Sequence, residues 1–523
     1  MKSSRERHDR LLKRYPPPIF EHPHTDKNGS YVVSMLPANT GIRHLGRGAY
    51  GNVTQNQIID SKQMVAVKHF EDSHKGLTID VLREIHSLQL MKNCANVLGI
   101  IAIGMMVKDD ITSVEIMISY HTADLYYFID EVSTMERIKI LDEVMKQLLN
   151  ALGELYQRGI LHRDIKPQNI LVEYDYNKST AQLNPNIKCY LADFGLSRQI
   201  PCNFKQRNVY MTLEVYTSWY RPPEIIADMK NYKENAEIWA LGATLVEYIC
   251  KIPLMMEVND DYKKDLIEQI FKLLSKPLEM NEYNIQRFEQ INIHDTINVS
   301  KFLKDHMNAT YYKMVPQEII DNITSMLQVN PHDRPSITAF IPKIPLCPRV
   351  ISMPSRGNLY RDTEITPRMY YILVDWLIDV SKMFKLDPKS LVCAIDLLDR
   401  YLANYDVKKV ELQLVGITCL DIIIKMIEVY PNEISDYIMV TDNAYTLNEL
   451  KKAEVLITAR MNYIMISCDV DDIVYLLRTL GKRYQPILKD TYQTLKNKGL
   501  YPGSISYILM KEYIEYSIKY GVA

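Results

Sequence analysis

The sequence predicts an α+β body followed by an all-α helical bundle. Three observations carry this. From Ile42 to about Lys68 the text is short, β-like and broken by glycines, ending in the alternation Met64-Val65-Ala66-Val67. After Leu141, helical patterns dominate until about Ile344. Between Ile341 and Pro367 stand Pro342, Pro345, Pro348, Pro354 and Pro367 with little periodicity, and beyond them the chain becomes amphipathic helices. At 523 residues, 47% hydrophobic and 24% charged, the chain is long enough for at least two ordinary cores.

Taken in order, residues 1–40 read as a basic, disordered tail with Lys2, Arg5, Arg7, Arg10, Lys13, Arg14 and the run Pro16-Pro17-Pro18. The basic cluster reads either as an import or anion-binding signal or as a solvated arm, and it lacks the apolar segment of a signal peptide. Residues 41–345 form the α+β domain, in which Glu173 to Asn186 reads as a polar surface loop. Residues 346–365 form a proline-containing linker, 366–467 the helical bundle and 468–523 a helical extension. In the bundle, Ile372, Leu373, Trp376, Leu377 and Val380 share one helical face, with Asp375, Asp379 and Lys382 opposite. Asp387-Pro388 opens a second helix, and Thr446-Leu447-Asn448-Glu449 is a capping box. Leu412 to Ile427 is apolar on nearly all sides and is expected at the centre.

The formal net charge is −2, so the overall balance points to neither nucleic acid nor a membrane surface as partner. The longest apolar run, Val415 to Met426, is broken by Asp421 and Lys425 and falls short of the roughly 18 residues that span a bilayer. The 8 cysteines are scattered without zinc spacing, which fits a reduced, intracellular setting in cytoplasm or nucleus.

Four motifs carry chemistry. Leu45 precedes Gly46-Arg47-Gly48-Ala49-Tyr50-Gly51-Asn52-Val53, a G-x-G-x-x-G-x-V loop whose glycines let backbone approach phosphates. β-like residues follow this loop, which separates it from the strand–helix setting of dinucleotide folds. Val65-Ala66-Val67-Lys68 is a strand that ends in a cation for the α- and β-phosphates of a nucleotide. Then come His162-Arg163-Asp164-Ile165-Lys166-Pro167-Gln168-Asn169 and Asp193-Phe194-Gly195. Asn169 and Asp193 supply oxygens for magnesium, Asp164 accepts a hydroxyl proton, and Lys166 stabilises charge on a transferred phosphoryl group.

On these motifs the first domain resembles the protein kinases, and specifically the cyclin-dependent kinases. The resemblance implies a bilobal fold, ATP and Mg2+ as cofactors, and serine/threonine specificity from Lys166 in Lys166-Pro167-Gln168-Asn169. It makes Asp124 the ribose contact, Ser119 to His121 the hinge, and Arg334 the partner of Glu224 in Trp219-Tyr220-Arg221-Pro222-Pro223-Glu224. Leu82-Arg83-Glu84-Ile85 resembles the regulatory helix, so Glu84 pairs with Lys68 when that helix swings inward. Thr212 matches the activating phosphosite, Arg83, Arg163 and Arg198 the arginines that grip it, and Tyr50 an inhibitory site. Val215, Tyr216 and Arg221 fall where the family shapes a proline-selective pocket. Two departures stand out: Glu237 where kinases carry aspartate, which puts the hold on the catalytic-loop backbone in doubt, and Tyr216 where a smaller residue is usual.

The bundle resembles a cyclin box, through Met369 to Leu377, Leu398-Asp399-Arg400-Tyr401-Leu402, Leu412-Gln413-Leu414-Val415-Gly416 and Tyr430-Pro431-Asn432-Glu433. Lys425 and Glu454 fall where cyclins contact the regulatory helix, while Met369, Ile372, Trp376, Leu412 and Gln413 are either substrate-docking residues or helix core. The expected protein is a proline-directed kinase acting on protein substrates and activated by its own fused cyclin-like domain. The activating contact forms within one chain or in a swapped dimer; an extended linker reaching roughly 75 Å allows the first across a body roughly 50 Å wide. The rival reading is a regulatory scaffold whose cyclin-like half activates or sequesters a separate kinase.

Overall fold

A computed structural model of the chain describes residues 19–25, 30–48, 51–199, 213, 215–229, 232–256, 262–274, 296–340 and 364–466. The first lobe is a seven-stranded sheet of β1 (Ile19–Thr25), β2 (Tyr31–Ser34), β3 (Asn39–Gly48), β4 (Gly51–Ile58), β5 (Met64–Phe70), β6 (Ile100–Lys108) and β7 (Ile111–Ser119). Its spatial order is β1-β2-β6-β7-β5-β4-β3. The pleat of β5 sorts its residues by face: Val65 and Val67 join Ile58, Ile101 and Met117 in a small outer core, whereas Ala66 and Phe70 join the main core. Lys68, in phase with Ala66 and Phe70, therefore points to the same side as they do.

The sheet corrects one expectation. Residues 19–40 are not a disordered arm, because β1, β2 and the start of β3 lie within this range. β2 pairs antiparallel with β6, Tyr31 opposite Val107 and Val32 opposite Met106, and Val32 and Val33 are buried. Four residues are too short to show a strand period, and the edge of β6 supplies the backbone partners that stabilise them.

Across the inner face of the sheet lies α1 (Ile79–Leu90), buried without interruption from Val81 to Leu90. A helix so enclosed is walled on every side, and its polar residues need partners. The second lobe is built around α2 (Leu141–Gln157) and α3 (Asn235–Cys250), the latter buried from Ala236 onward. Arg334 and Glu224 form a buried bidentate pair, both nitrogens at 2.7 Å, with the guanidinium 5.1 Å over the Trp239 ring. The polar insert is more ordered than a plain loop: Tyr176–Asn177 pairs with Gln182–Leu183, and Leu183 N donates to Glu136 Oε2 at 3.0 Å.

The bundle consists of α4 (Pro367–Phe384), α5 (Pro388–Asn404), α6 (Leu412–Ile427), α7 (Ile434–Val440) and α8 (Leu447–Arg460). α6 is its centre, buried on all sides from Val415 to Ile427, and it carries a buried charge cluster in Asp421–Lys425 at 2.9 Å. Thr446 caps α8 in a capping box with Glu449.

The bundle packs α6 against α1 and α8 against β1, β2 and β6. Glu454 Oε2 accepts a hydrogen bond from Leu77 N at 2.9 Å, just ahead of α1. Lys425 acts one step behind: its ammonium binds Glu454 at 2.6 Å and Asp421 and so fixes the carboxylate that makes the contact. Further bonds join Gln89 Nε2 to Asn462 Oδ1 at 3.1 Å, Lys75 Nζ to Glu433 at 3.0 Å and Lys451 Nζ to Asp110 O at 2.7 Å.

Gly76 lets the two halves meet. Its φ is +78°, and a Cβ placed there would sit 2.2 Å from Glu454 Oε2. Gly76→Ala therefore expels Glu454 from Leu77 N. Amide hydrogen exchange should accelerate roughly tenfold or more at Leu77 and along α8, the effect of one lost buried hydrogen bond, while α2 stays protected.

Candidate active site

The cleft between the lobes brings together residues far apart in sequence. Lys68 Nζ lies 2.9 and 2.7 Å from the two carboxylate oxygens of Glu84 and 3.2 Å from Asp193 Oδ1. Burial alone would lower the Lys68 ammonium, but Glu84 and Asp193 outweigh it and hold it above its ordinary range. The Lys68 charge likewise keeps Asp193 below the usual carboxylate range despite burial. Glu84 reaches Lys68 only because α1 is packed inward.

Above Lys68 runs the β3–β4 hairpin. Val53 pairs opposite Lys68, Gly46 opposite Val53, and Gly48 opposite Gly51. Gly51 has φ +147°, and a Cβ there would meet His69 O at 2.1 Å, so only glycine lets the hairpin lie this close to β5. Leu45 is partly exposed on this hairpin and Ala66 is buried beneath it. Tyr50 lies outside the described residues. At the cleft's other rim, Asp124 Oδ1 accepts from Tyr127 N at 2.7 Å and caps the helix Leu125–Glu131.

In the catalytic-loop segment, Asn169 Nδ2 donates to Asp164 O and to Asp164 Oδ2, both at 2.8 Å. Lys166 Nζ stands 2.8 Å from the same Oδ2. The other oxygen, Asp164 Oδ1, accepts from Thr217 N at 3.1 Å and Thr217 Oγ1 at 2.9 Å. Lys166 also donates to Thr217 Oγ1 at 2.8 Å. Thr217 was missed in the sequence. The available signal was its place directly after Tyr216, in the segment already marked as pocket-forming. His162 is neutral: Nδ1 accepts from Asp164 N, so Nε2–H donates to Ala192 O at 2.9 Å, and burial lowers its pKa. The amide nitrogen of Asn169 is committed to Asp164, which leaves its carbonyl as the acceptor side. With the Asp193 carboxylate this makes a pair of hard oxygen donors that suits magnesium.

Arg83, Arg163 and Arg198 are all buried. Burial, then the charges of Arg163 and Arg198, drive the Arg83 guanidinium well below its ordinary range. Arg198 is pushed down to about 10 by burial and by Arg163. Among the described residues, Arg83 Nε and Arg163 Nη2 lack hydrogen-bond partners. Three buried guanidinium groups thus repel one another. Arg198 also donates to Ile427 O at the C-terminus of α6, where the helix dipole favours a cation. Thr212 lies outside the described residues.

The two departures noted in the sequence touch each other. Glu237 Oε1 accepts from Arg163 N at 2.9 Å and from the Tyr216 hydroxyl at 2.7 Å. The longer glutamate thus still holds the catalytic-loop backbone, and it gains the tyrosine as a second donor. Tyr216 is left-handed, with φ 62°, and its N–H donates to Arg163 O at 2.9 Å. Its carbonyl accepts from Arg221 Nη2 at 2.8 Å.

A family model for the protein kinase domain matches residues 40–343, and one for the cyclin N-terminal domain matches 348–466. Cyclin-dependent kinase 1 of Encephalitozoon cuniculi is 27% identical over 298 residues, covering 56% of this chain and 91% of that protein. Cyclin-dependent kinase 7 of Caenorhabditis elegans is 26% identical over 306 residues, 57% of this chain and 83% of the relative. Human cyclin-dependent kinase 9 is 27% identical over 288 residues, 54% of this chain and 74% of the relative. Among solved structures, a chain of the CAK complex from Chaetomium thermophilum bound to ATP-gamma-S is 25% identical, with a TM-score of 0.46 over 58% of this chain and 89% of that one. The chain belongs to the protein kinase family, as a cyclin-dependent-kinase-like serine/threonine kinase that carries a cyclin domain in the same polypeptide.

Proposed function

We propose that this kinase transfers the γ-phosphate of ATP to serine or threonine followed by proline, and that its own cyclin-like domain switches it on. The observation that carries the reading is the closed Lys68–Glu84 pair on a helix walled in by the bundle. Lys68 holds the α- and β-phosphates. Leu45, Gly46, Gly48, Gly51, Val53 and Ala66 enclose the nucleotide, and Asp124 meets the ribose. Asn169 and Asp193 hold Mg2+, which neutralises phosphate charge when bound. Asp164 orients the substrate hydroxyl and takes its proton, and Lys166 stabilises the charge that develops on the phosphoryl oxygens. Thr217 aims the Asp164 carboxylate.

The arginine cluster supports Thr212 as a phosphosite, since a phosphate of about −1.5 to −2 charge answers three buried guanidinium groups. Proline selection follows from Tyr216. Its carbonyl is turned onto Arg221, so a substrate N–H at the next position finds no acceptor, and proline has none to lose.

Asp164→Asn and Asp193→Asn should each cut phosphate transfer from radiolabelled ATP by about 10²–10⁴-fold in a folded protein. Turnover near the native rate in either would defeat the enzyme mechanism. Gly76→Ala should lower activity without touching the cleft; unchanged activity despite a loosened α8 would remove the cyclin-like half from control.

Mass spectrometry of active protein should find phosphate on Thr212, and Thr212→Ala should be slower. Full activity in that variant would show that the arginines serve another end.

Tyr216→Phe removes the hydroxyl that Glu237 holds and frees the left-handed turn. The ratio of kcat/KM for Ser-Pro over Ser-Ala peptides should fall roughly five- to tenfold, the worth of one typical hydrogen bond. A native enzyme with no proline preference would end the proline reading outright.

A further inference from the structure

We propose that strands β1 and β2 form a clasp whose partner is α8 of the same chain and the turn after it, holding the cyclin-like half on the kinase sheet in addition to its contacts with the regulatory helix. This rests on the kinase–cyclin reading but concerns a different contact. The kinase family match begins at residue 40, so both strands precede it, and the bundle follows it. These two additions to the kinase body meet each other.

The contact is built rather than incidental. β2 covers the edge of β6, whose backbone groups would otherwise face the bundle unpaired. Val33 enters the main core, and Ser30 and Ser34 are buried beside it. From the bundle, Tyr463 is fully buried and left-handed at φ 62°, a conformation an aromatic residue keeps only where its surroundings demand it. Its hydroxyl donates to Ser34 Oγ at 3.4 Å. Lys452 Nζ lies 5.5 Å over the ring of Tyr31, and Lys451, itself buried, reaches the β6–β7 turn at Asp110. Tyr463 also bonds His86 of α1 through its backbone, whereas the Ser34–Tyr463, Tyr31–Lys452 and Lys451–Asp110 contacts join the bundle directly to the sheet.

The test installs a protease site within residues 346–365 of the full-length chain, cuts it, and follows association of the two fragments by sedimentation on dilution. Val33→Asp should raise the dissociation midpoint at least about tenfold, since it places a charge in a core position. Tyr31→Ala with Ser34→Ala, which leaves the core intact, should raise it by a smaller factor. Uncut chains of each variant should retain native activity, because the linker keeps the halves together. Unchanged midpoints in both variants overturn the clasp, as does a stable dimer of the uncut chain that the double variant dissolves, since the strands would then join two molecules. Association is read apart from catalysis: cut native protein that dissociates yet stays fully active would defeat activation by the cyclin-like half and leave the clasp standing or falling on its midpoints.

Discussion

The Lys68–Glu84 ion pair is the constraint around which the molecule is arranged. Taking two charges out of water is costly, and a buried pair holds only with close geometry and satisfied surroundings. Here Lys68 is fixed in the middle of the sheet, and Glu84 must be delivered to it by a whole helix. Everything that touches α1 therefore bears on whether the cleft holds its catalytic charge in place.

The other polar residues of α1 show how the delivery is made. Ser87 Oγ meets Ser197 Oγ at 2.7 Å in the segment after Phe194-Gly195, and Gln89 reaches Asn462 in the bundle. His86 faces both: Nδ1 accepts from Met465 N at 3.3 Å, so Nε2–H donates to Gln199 Oε1 at 2.8 Å. Burial pushes this imidazole down to about 4, which keeps it neutral and preserves its acceptor. One helix thus has a bonded neighbour in the sheet, the activation segment and the bundle. Each bond is satisfied only in this orientation, so partial rotation leaves several buried polar groups unpaired at once.

Much of this was legible in the sequence because the chemistry forces local patterns. Glycine spacing, the alternation before Lys68, the Asp164 and Asp193 motifs and the apolar stretch of α6 all write their function into consecutive residues. The bonds of Glu454 to Leu77 and of Arg334 to Glu224 were reachable only through the family resemblance, since nothing local marks their partners. Three features were not legible. β2 is too short for a period and exists because β6 needs covering. Thr217 acts through its backbone N–H as much as its hydroxyl, and backbone leaves no signature. Glu237 and Tyr216 each looked like a weakening when read alone; their contact, between residues 21 apart in sequence, becomes visible only when the chain is folded.

The covalent join between the kinase and cyclin-like halves has a consequence for supply. Two separate proteins can be made in different amounts and at different times, and the scarcer one then limits the complex. A single polypeptide is translated in a fixed one-to-one ratio, so neither half is ever in surplus and neither can be degraded without the other. The dose of kinase then follows the copy number of one message, and it rises or falls with synthesis, turnover or modification of the whole chain rather than with the supply of one half.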